Sequence, residues 1–359
     1  MDLKLFDFHL PTERIAQEPM RPRDHARLLH VPRDGSTFRD LRVDALPGLL
    51  KDGDVMVFND TRVIPARLVG KRGDAAHAGK PEGGAKIEVT LHQPVDAHTW
   101  RVFAKPARKL QPRDYLVFGT GFAADCTDAG DMGERELRFN VAGHELITML
   151  ERHGVMPLPP YIKRPSEGAQ EDRDDYQTMF AENDGAVAAP TAALHFTDGL
   201  LESVRAVGVT DARVTLHVGA GTFLPVRVDD TDDHVMHTER AILSADAAET
   251  LNMTRKNGGR VIACGTTSLR TLESAVDENG VFHAFNGNTD IFITPGYTFK
   301  GIDALLTNFH LPCSTLFMLV SALAGLDRMQ AAYAHAIQNE YRFYSYGDAC
   351  FIERTEVTS

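Results

Sequence analysis

Four histidines stand among small and polar residues where the chain's pattern predicts strand ends. They are His195 in VAAPTAALHFT, His217 in VTLHVGAGTF, His237 in VMHTER and His310 in LLTNFHLPCST. A neutral imidazole is the best general base near pH 7, so the set points to proton transfer on a polar ligand. Any one of them alone would be read as a structural residue; together, beside Gly, Thr and Asn, they form a candidate constellation. Glu239, two residues after His237, adds a carboxylate.

Other polar groups fall at the same kind of position. In VTLHVGAGTF, Val214, Leu216 and Val218 share one strand face while Thr215 and His217 take the other. The strand then runs into Gly219, Gly221 and Thr222, where two glycines let backbone approach a ligand closely. RVIACGTTSLRTLES passes through Gly265, Thr266, Thr267 and Ser268 into a helix whose free N–H groups suit a carboxylate or phosphate. LLTNFHLPCST puts Asn308 and His310 on one side of a strand end before a Pro turn, and Asn59, Asp60 and Arg62 follow the apolar strand DVMVF. Familiar alternatives fail. Leu224 occupies the third-glycine position of a dinucleotide fingerprint, and there is no G-x-x-x-x-G-K, G-x-S-x-G, H-E-x-x-H or EF-hand loop. No metal is expected.

An α/β domain must position these groups. From residue 187 onward, strands such as RVTLHV, RVIAC, DIFIT and ALLTNF alternate with helical segments, among them DGLLESVRAVG capped by Thr197. That alternation predicts a mostly parallel sheet covered by helices on both faces. Earlier in the chain, ARLVG, KIEVTLH, TWRVFAK, DYLVF and RELRFN are short alternating segments separated by Gly, Pro and Asp. They predict a small antiparallel β-barrel inserted in the α/β domain. The expected division is residues 1–61 with 151–359 for the discontinuous α/β domain, and 62–150 for the barrel. The loop KRGDAAHAGKPEGGAK is mobile by composition.

At 359 residues, 43% hydrophobic and 25% charged, the chain has an ordinary globular composition. Its formal charge of −12 leaves no basic footprint over the whole molecule. One local exception is WRVFAKPARKLQPR, which carries Arg101, Lys105, Arg108, Lys109 and Arg113 without an acid. The four cysteines form no C-x-x-C pair, which suits reduced thiols in a cytoplasm. The N-terminus lacks a signal-peptide pattern, and LFMLVSALAGL is too short to span a bilayer.

GDVMVFNDTRVIPARL, MPLPPYIKR, VAAPTAALHFT, VTLHVGAGTFLPV, GGRVIACGTTSLRTLESA and LLTNFHLPCSTLFMLVSA closely resemble the S-adenosylmethionine:tRNA ribosyltransferase-isomerases of the queuosine pathway, and the likeness runs nearly the whole chain. Two positions depart from that pattern: Cys313 replaces the usual Lys, and Ala220 a common Leu. The resemblance implies transfer of the ribosyl part of S-adenosylmethionine onto 7-aminomethyl-7-deazaguanine at a tRNA wobble position, leaving epoxyqueuosine and releasing adenine and methionine. S-adenosylmethionine is then a consumed substrate and no resident cofactor is implied. The partners implied are that tRNA and S-adenosylmethionine, with no membrane, for a monomer.

On this resemblance, His195, His217 and His310 share the base and acid work, with Glu239 as an alternative for one role. Which histidine does which stays open. Pro190 and Thr191 wall the adenosine or the flipped base. Thr266, Thr267 and Arg270 hold the methionine carboxylate, while Asn59, Asp60 and Arg62 meet base or sugar. Gly219, Gly221, Thr222, His237 and Asn308 complete the substrate site. Lys105, Arg108, Lys109 and Arg113, with Lys163 and Arg164, grip tRNA phosphates. A tRNA-binding module without catalysis and a conventional methyltransferase are the rival readings.

Overall fold

A computed structural model describes residues 1–73, 84–165, 168–219 and 228–355. Gly221 and Thr222, Ala220 and Leu224, and residues 74–83 of the loop read as mobile lie outside the described residues. Nine strands form one sheet in the order β15 (Phe285–Thr289), β13 (Glu239–Leu243), β12 (Thr210–His217), β3 (Val55–Asn59), β14 (Val261–Cys264), β16 (Ala304–Asn308), β17 (Ala349–Glu353), β1 (Arg27–Val31) and β2 (Arg39–Arg42). The four adjacent strands β12, β3, β14 and β16 are mutually parallel. β13, β15 and β2 add antiparallel flanks, and β17 runs against β16 but with β1. The parallel part of the expected sheet is therefore its centre.

Those central strands are buried on both faces, which is why VMVF and VIAC read as unbroken apolar runs. Val55 and Val57 pack into one core with α4 (Ala245–Lys256), α5 (Thr266–Ala275), α6 (Thr315–Ala324) and α7 (Leu326–Gln338). Met56 and Phe58 join the opposite core, with α3 (Asp198–Ala206) and Ala192 and Ala193. Fully burying each such side chain contributes about 1.5–3 kcal/mol, so the strand ends rest on a rigid base. Side chains cap three of the helices: Thr197 accepts from Leu200 N, Ser244 from Ala247 N and Ser314 from Phe317 N.

Six strands close an antiparallel barrel in the order β10 (Glu134–Phe139), β7 (Thr99–Lys105), β6 (Lys86–Pro94), β5 (Arg67–Gly73), β8 (Tyr115–Gly119) and β9 (Phe122–Ala129). Period-two burial fills it: along β7, Trp100, Val102 and Ala104 point inward while Arg101, Phe103 and Lys105 point outward. Leu146 and Leu150 of α1 (Gly143–His153) join this core. The chain leaves the sheet along β4 (Thr61–Val63) and returns along β11 (Asn183–Ala186), and these two pair in parallel. A one-turn helix, α2 (Asp172–Asp175), lies on the return path. DIFIT does not form the expected strand: the sheet takes the preceding Phe285–Thr289 instead, pairing it with β13, while Ile293 packs into the core unpaired.

Candidate active site

The carboxyl ends of the parallel strands line one edge of the sheet, the position where open α/β sheets bind ligands. β3 ends in Asn59, β12 in His217, β14 in the turn to Thr266, and β16 in Asn308. Antiparallel β13 starts at the same edge with Glu239, beside β12, where His217 pairs with Arg240. Three polar groups form here.

The first surrounds His217. Its Nδ1 lies 2.9 Å from Thr61 Oγ1, and Gly185 of β11 approaches so closely that a Cβ there would stand 2.9 Å from the same nitrogen. Burial lowers the pKa of His217, with Asp60 acting in the opposite sense. Asp60 is 7% exposed and accepts a 2.7 Å hydrogen bond from Thr215. Asn59 does not face a ligand: its Oδ1 accepts from Leu216 N and Thr61 N and its Nδ2 donates to Leu216 O, pinning β3 to β12. Arg62 is exposed, donating to Ala181 O and lying 3.5 Å from Asp184.

The second surrounds His195, at the end of the 3-10 turn Thr191–His195 that follows Pro190. Thr191 donates to Asn308 Oδ1 at 2.8 Å, which leaves Asn308 Nδ2 directed at His195 Nε2, 3.4 Å away. That nitrogen therefore acts as acceptor and the ring is neutral. Burial agrees, pushing its pKa down to about 4. The cavity beside His195, bounded by Met20, Arg23, Ser345 and Tyr346, is about 10 Å³, room for roughly one water. Ala192 of this turn lies 3.7 Å from the Cβ that Gly265 lacks, so the wall touches the start of α5.

The third lies at α5. Gly265 is its N-cap at φ +88°, a conformation open to glycine, and no side chain caps the helix. Arg270, one turn along, forms a buried ion pair with Glu239 through Nη1, and Glu239 also accepts from Gly219 N at 3.3 Å. Among the described residues, Arg270 Nε and Nη2 and Thr267 Oγ1 are buried without a hydrogen-bond partner.

The remaining expected residues are placed apart. His310 points to the opposite side of β16 from Asn308: Nε2 lies 3.0 Å from Thr307 Oγ1, the backbone N–H of His310 donates to the buried Tyr333 hydroxyl, and burial pushes the ring's pKa down to about 3. Among the described residues, the three histidines thus share no hydrogen-bond network. His237 is exposed on the segment before β13. Lys105, Arg108, Lys109 and Arg113 are exposed on the barrel, and Lys163 is exposed. Arg164 is spent internally, pairing with buried Asp172 at 3.0 Å and donating to Gln17 O. Sequence reading passed over Thr61 and Gly185, although Thr61 sits inside FNDT and signalled a polar turn. A cleft of about 750 Å³ lined by His30, Arg39 and Glu353 opens at the opposite edge and holds none of these groups. Among the described residues, no group of three or more His, Cys, Asp or Glu could hold a metal ion.

Residues 3–352 match the family described as queuosine biosynthesis protein. The chain is 56% identical over 356 residues to the S-adenosylmethionine:tRNA ribosyltransferase-isomerase of Rhodospirillum rubrum, covering 99% of each chain. It is 58% identical over 355 residues to the enzyme of that name from Novosphingobium aromaticivorans, covering 98% of this chain and 99% of that one. A crystal structure of S-adenosylmethionine tRNA ribosyltransferase from Thermotoga maritima superposes with a TM-score of 0.54 at 32% identity, over 97% of this chain and 99% of the other. The chain belongs to the queuosine biosynthesis protein family, as an enzyme of its S-adenosylmethionine:tRNA ribosyltransferase-isomerase type, a transferase.

Proposed function

We propose that the enzyme moves the ribosyl group of S-adenosylmethionine onto the aminomethyl group of 7-aminomethyl-7-deazaguanine at a tRNA wobble position and isomerises it, leaving epoxyqueuosine-tRNA and releasing adenine and methionine. One observation carries the placement of the chemistry. His217, held at Nδ1 by Thr61 and flanked by the buried Asp60 carboxylate, lies at the same sheet edge as the uncapped start of α5.

A sulfonium acidifies the adjacent C5′ protons, but their removal needs a positioned base. His217 suits that role at Nε2, because Thr61 fixes the ring and Asp60 stabilises the imidazolium formed. Pro190, Thr191, Asn308 and neutral His195 form the wall against which the nucleoside rests. Thr266, Thr267 and Arg270 receive the methionine carboxylate. His310, turned into the α6–α7 core, serves the reaction only by fixing the end of β16. On this reading the enzyme acts as a monomer in the cytoplasm, where its four free thiols stay reduced.

Single His217→Ala, His195→Ala and His310→Ala variants, assayed for adenine release from S-adenosylmethionine and undermodified tRNA, test this. His217→Ala loses about 10²–10⁴-fold in rate, the usual contribution of a general base. Full activity in that variant removes His217 from the chemistry. Release of S-adenosylhomocysteine in place of adenine by the wild type overturns the proposed reaction.

A further inference from the structure

Among the described residues, Arg270 is a cation at the strand-end edge with two guanidinium nitrogens unmet. Nη1 is taken by Glu239, but Nε and Nη2, the two nitrogens along one side of the guanidinium, are buried and unpartnered, although the residue is only 7% exposed. That side is the fork that accepts a carboxylate bidentately. Thr267, three residues earlier and so on the same helix face, leaves its hydroxyl unpartnered as well. Both stand on the first turns of a helix without a side-chain cap. Leaving such donors unmet inside a protein is unfavourable, so the position is organised around an absent acceptor.

The charge count refines what that acceptor belongs to. Arg270 and Glu239 already neutralise each other, so a bare carboxylate would bring an uncompensated negative charge into a desolvated site. Glu239 has one hydrogen bond on each oxygen, from Gly219 N to Oε1 and from Arg270 to Oε2. A carboxylate offers about four lone-pair sites, so acceptor capacity remains for an ammonium group. From this we infer that Arg270 and Glu239 together read an α-amino-acid zwitterion: Arg270, Thr267 and the α5 start take the carboxylate, and Glu239 takes the ammonium. Resting on the proposed use of S-adenosylmethionine, this makes Glu239 a specificity residue for the methionine end and not an acid or base.

Calorimetry on the full-length enzyme tests it with four probes: S-adenosylmethionine, its decarboxylated analogue, its des-amino analogue and 5′-methylthioadenosine, which lacks the amino acid. The wild type should bind S-adenosylmethionine roughly 10- to 100-fold more tightly than either singly truncated analogue, the range of one charge-assisted contact. Glu239→Gln should abolish the preference over the des-amino analogue while keeping most of the preference over the decarboxylated one. Arg270→Lys should do the reverse, and 5′-methylthioadenosine should bind all three proteins alike. If the wild type binds both truncated analogues as tightly as S-adenosylmethionine, the zwitterion reading is overturned while the proposed substrate stands. If it binds none of the probes and releases no adenine, the proposed function itself fails. The wild-type comparison decides the matter even where breaking the buried pair prevents a variant from folding.

Discussion

Replacing Gly185 by Ala tests the geometry of the proposed base without touching its chemistry. The new Cβ would stand 2.9 Å from His217 Nδ1, 3.1 Å from Cε1 and 3.3 Å from Cγ. Ordinary contact needs about 3.5–4.0 Å, so the ring must retreat by roughly 0.5–1 Å. It would stretch or lose its 2.9 Å hydrogen bond to Thr61, worth about 0.5–1.5 kcal/mol. Gly185 also sits at φ +143°, where a side chain adds about 1–3 kcal/mol of backbone strain. The variant should therefore lose about 2–4 kcal/mol of stability. A 1 Å misplacement of a catalytic group can cost on the order of 100-fold, so the rate should fall about 10- to 100-fold. Adenine release at saturating S-adenosylmethionine and tRNA, measured well below the melting temperature, separates the two effects. A variant that melts lower yet releases adenine at the wild-type rate would refute the claim that the position of His217 governs the reaction.

Two other outcomes follow from the buried and charged groups. Burial pushes His195 and His310 down to about 4 and about 3, so between there and the unfolded value near 6.5 the unfolded chain holds more protons than the folded one. Stability is then complete above about pH 6.5 and falls on acidification, by about 2 kcal/mol per histidine at pH 5; His310→Gln should make urea midpoints measured from pH 8 to pH 5 visibly less steep, and an unchanged slope would contradict the assignment. Reversing Arg108 and Lys109 to Glu should weaken tRNA binding and flatten its salt dependence by about one to two logarithmic units per decade, with S-adenosylmethionine binding unaltered; equal tRNA affinity would move the contact surface elsewhere.

The sequence made legible whatever local chemistry determines. Thr197 and Ser314 cap their helices where hydroxyls precede apolar periodicity, and β3 and β14 are recognisable because burial on both faces demands continuous apolar residues. It was misleading where pairing overrides propensity. FNGNT is polar and flexible yet becomes β15, since an edge strand needs only its backbone and one buried face. FAADCTDA, small and acidic, becomes β9 because the barrel must close between β8 and β10. Side-chain direction was equally out of reach at the site. Thr307 and Asn308 point to opposite faces, and His310 turns back onto Thr307 while Asn308 reaches His195, so the turn after β16 carries His310 away from His195. Asn59 has the residue type of a ligand contact, but only the pairing of β3 with β12 reveals that Leu216 consumes its amide.

On the proposed function, the barrel would direct a protein of net charge −12 to its RNA substrate. Outward-facing Arg101, Phe103 and Lys105 alternate along β7, and Phe103 stacks on His92 of β6 with ring centroids 4.4 Å apart. The carbonyl of His92 in turn lies 3.2 Å from the point where Gly219 would carry a Cβ. This outer barrel face therefore runs directly to the end of β12, where His217 and the Gly219 contact to Glu239 are found. Glu88, Glu134 and Glu136 stand opposite these residues on the flanking strands, Glu134 lying 3.9 Å from Arg101 and 2.9 Å from His92, so on the proposed function the phosphate attraction falls to Arg108, Lys109 and Arg113 beyond the strand. On the same proposal, the net negative charge would disfavour RNA elsewhere on the surface, since like charges repel and steering follows the local field and not the total. On the proposed function, the barrel and the sheet divide the work of recognition, the barrel holding the backbone of the anticodon loop while the parallel strand ends receive the base splayed from it.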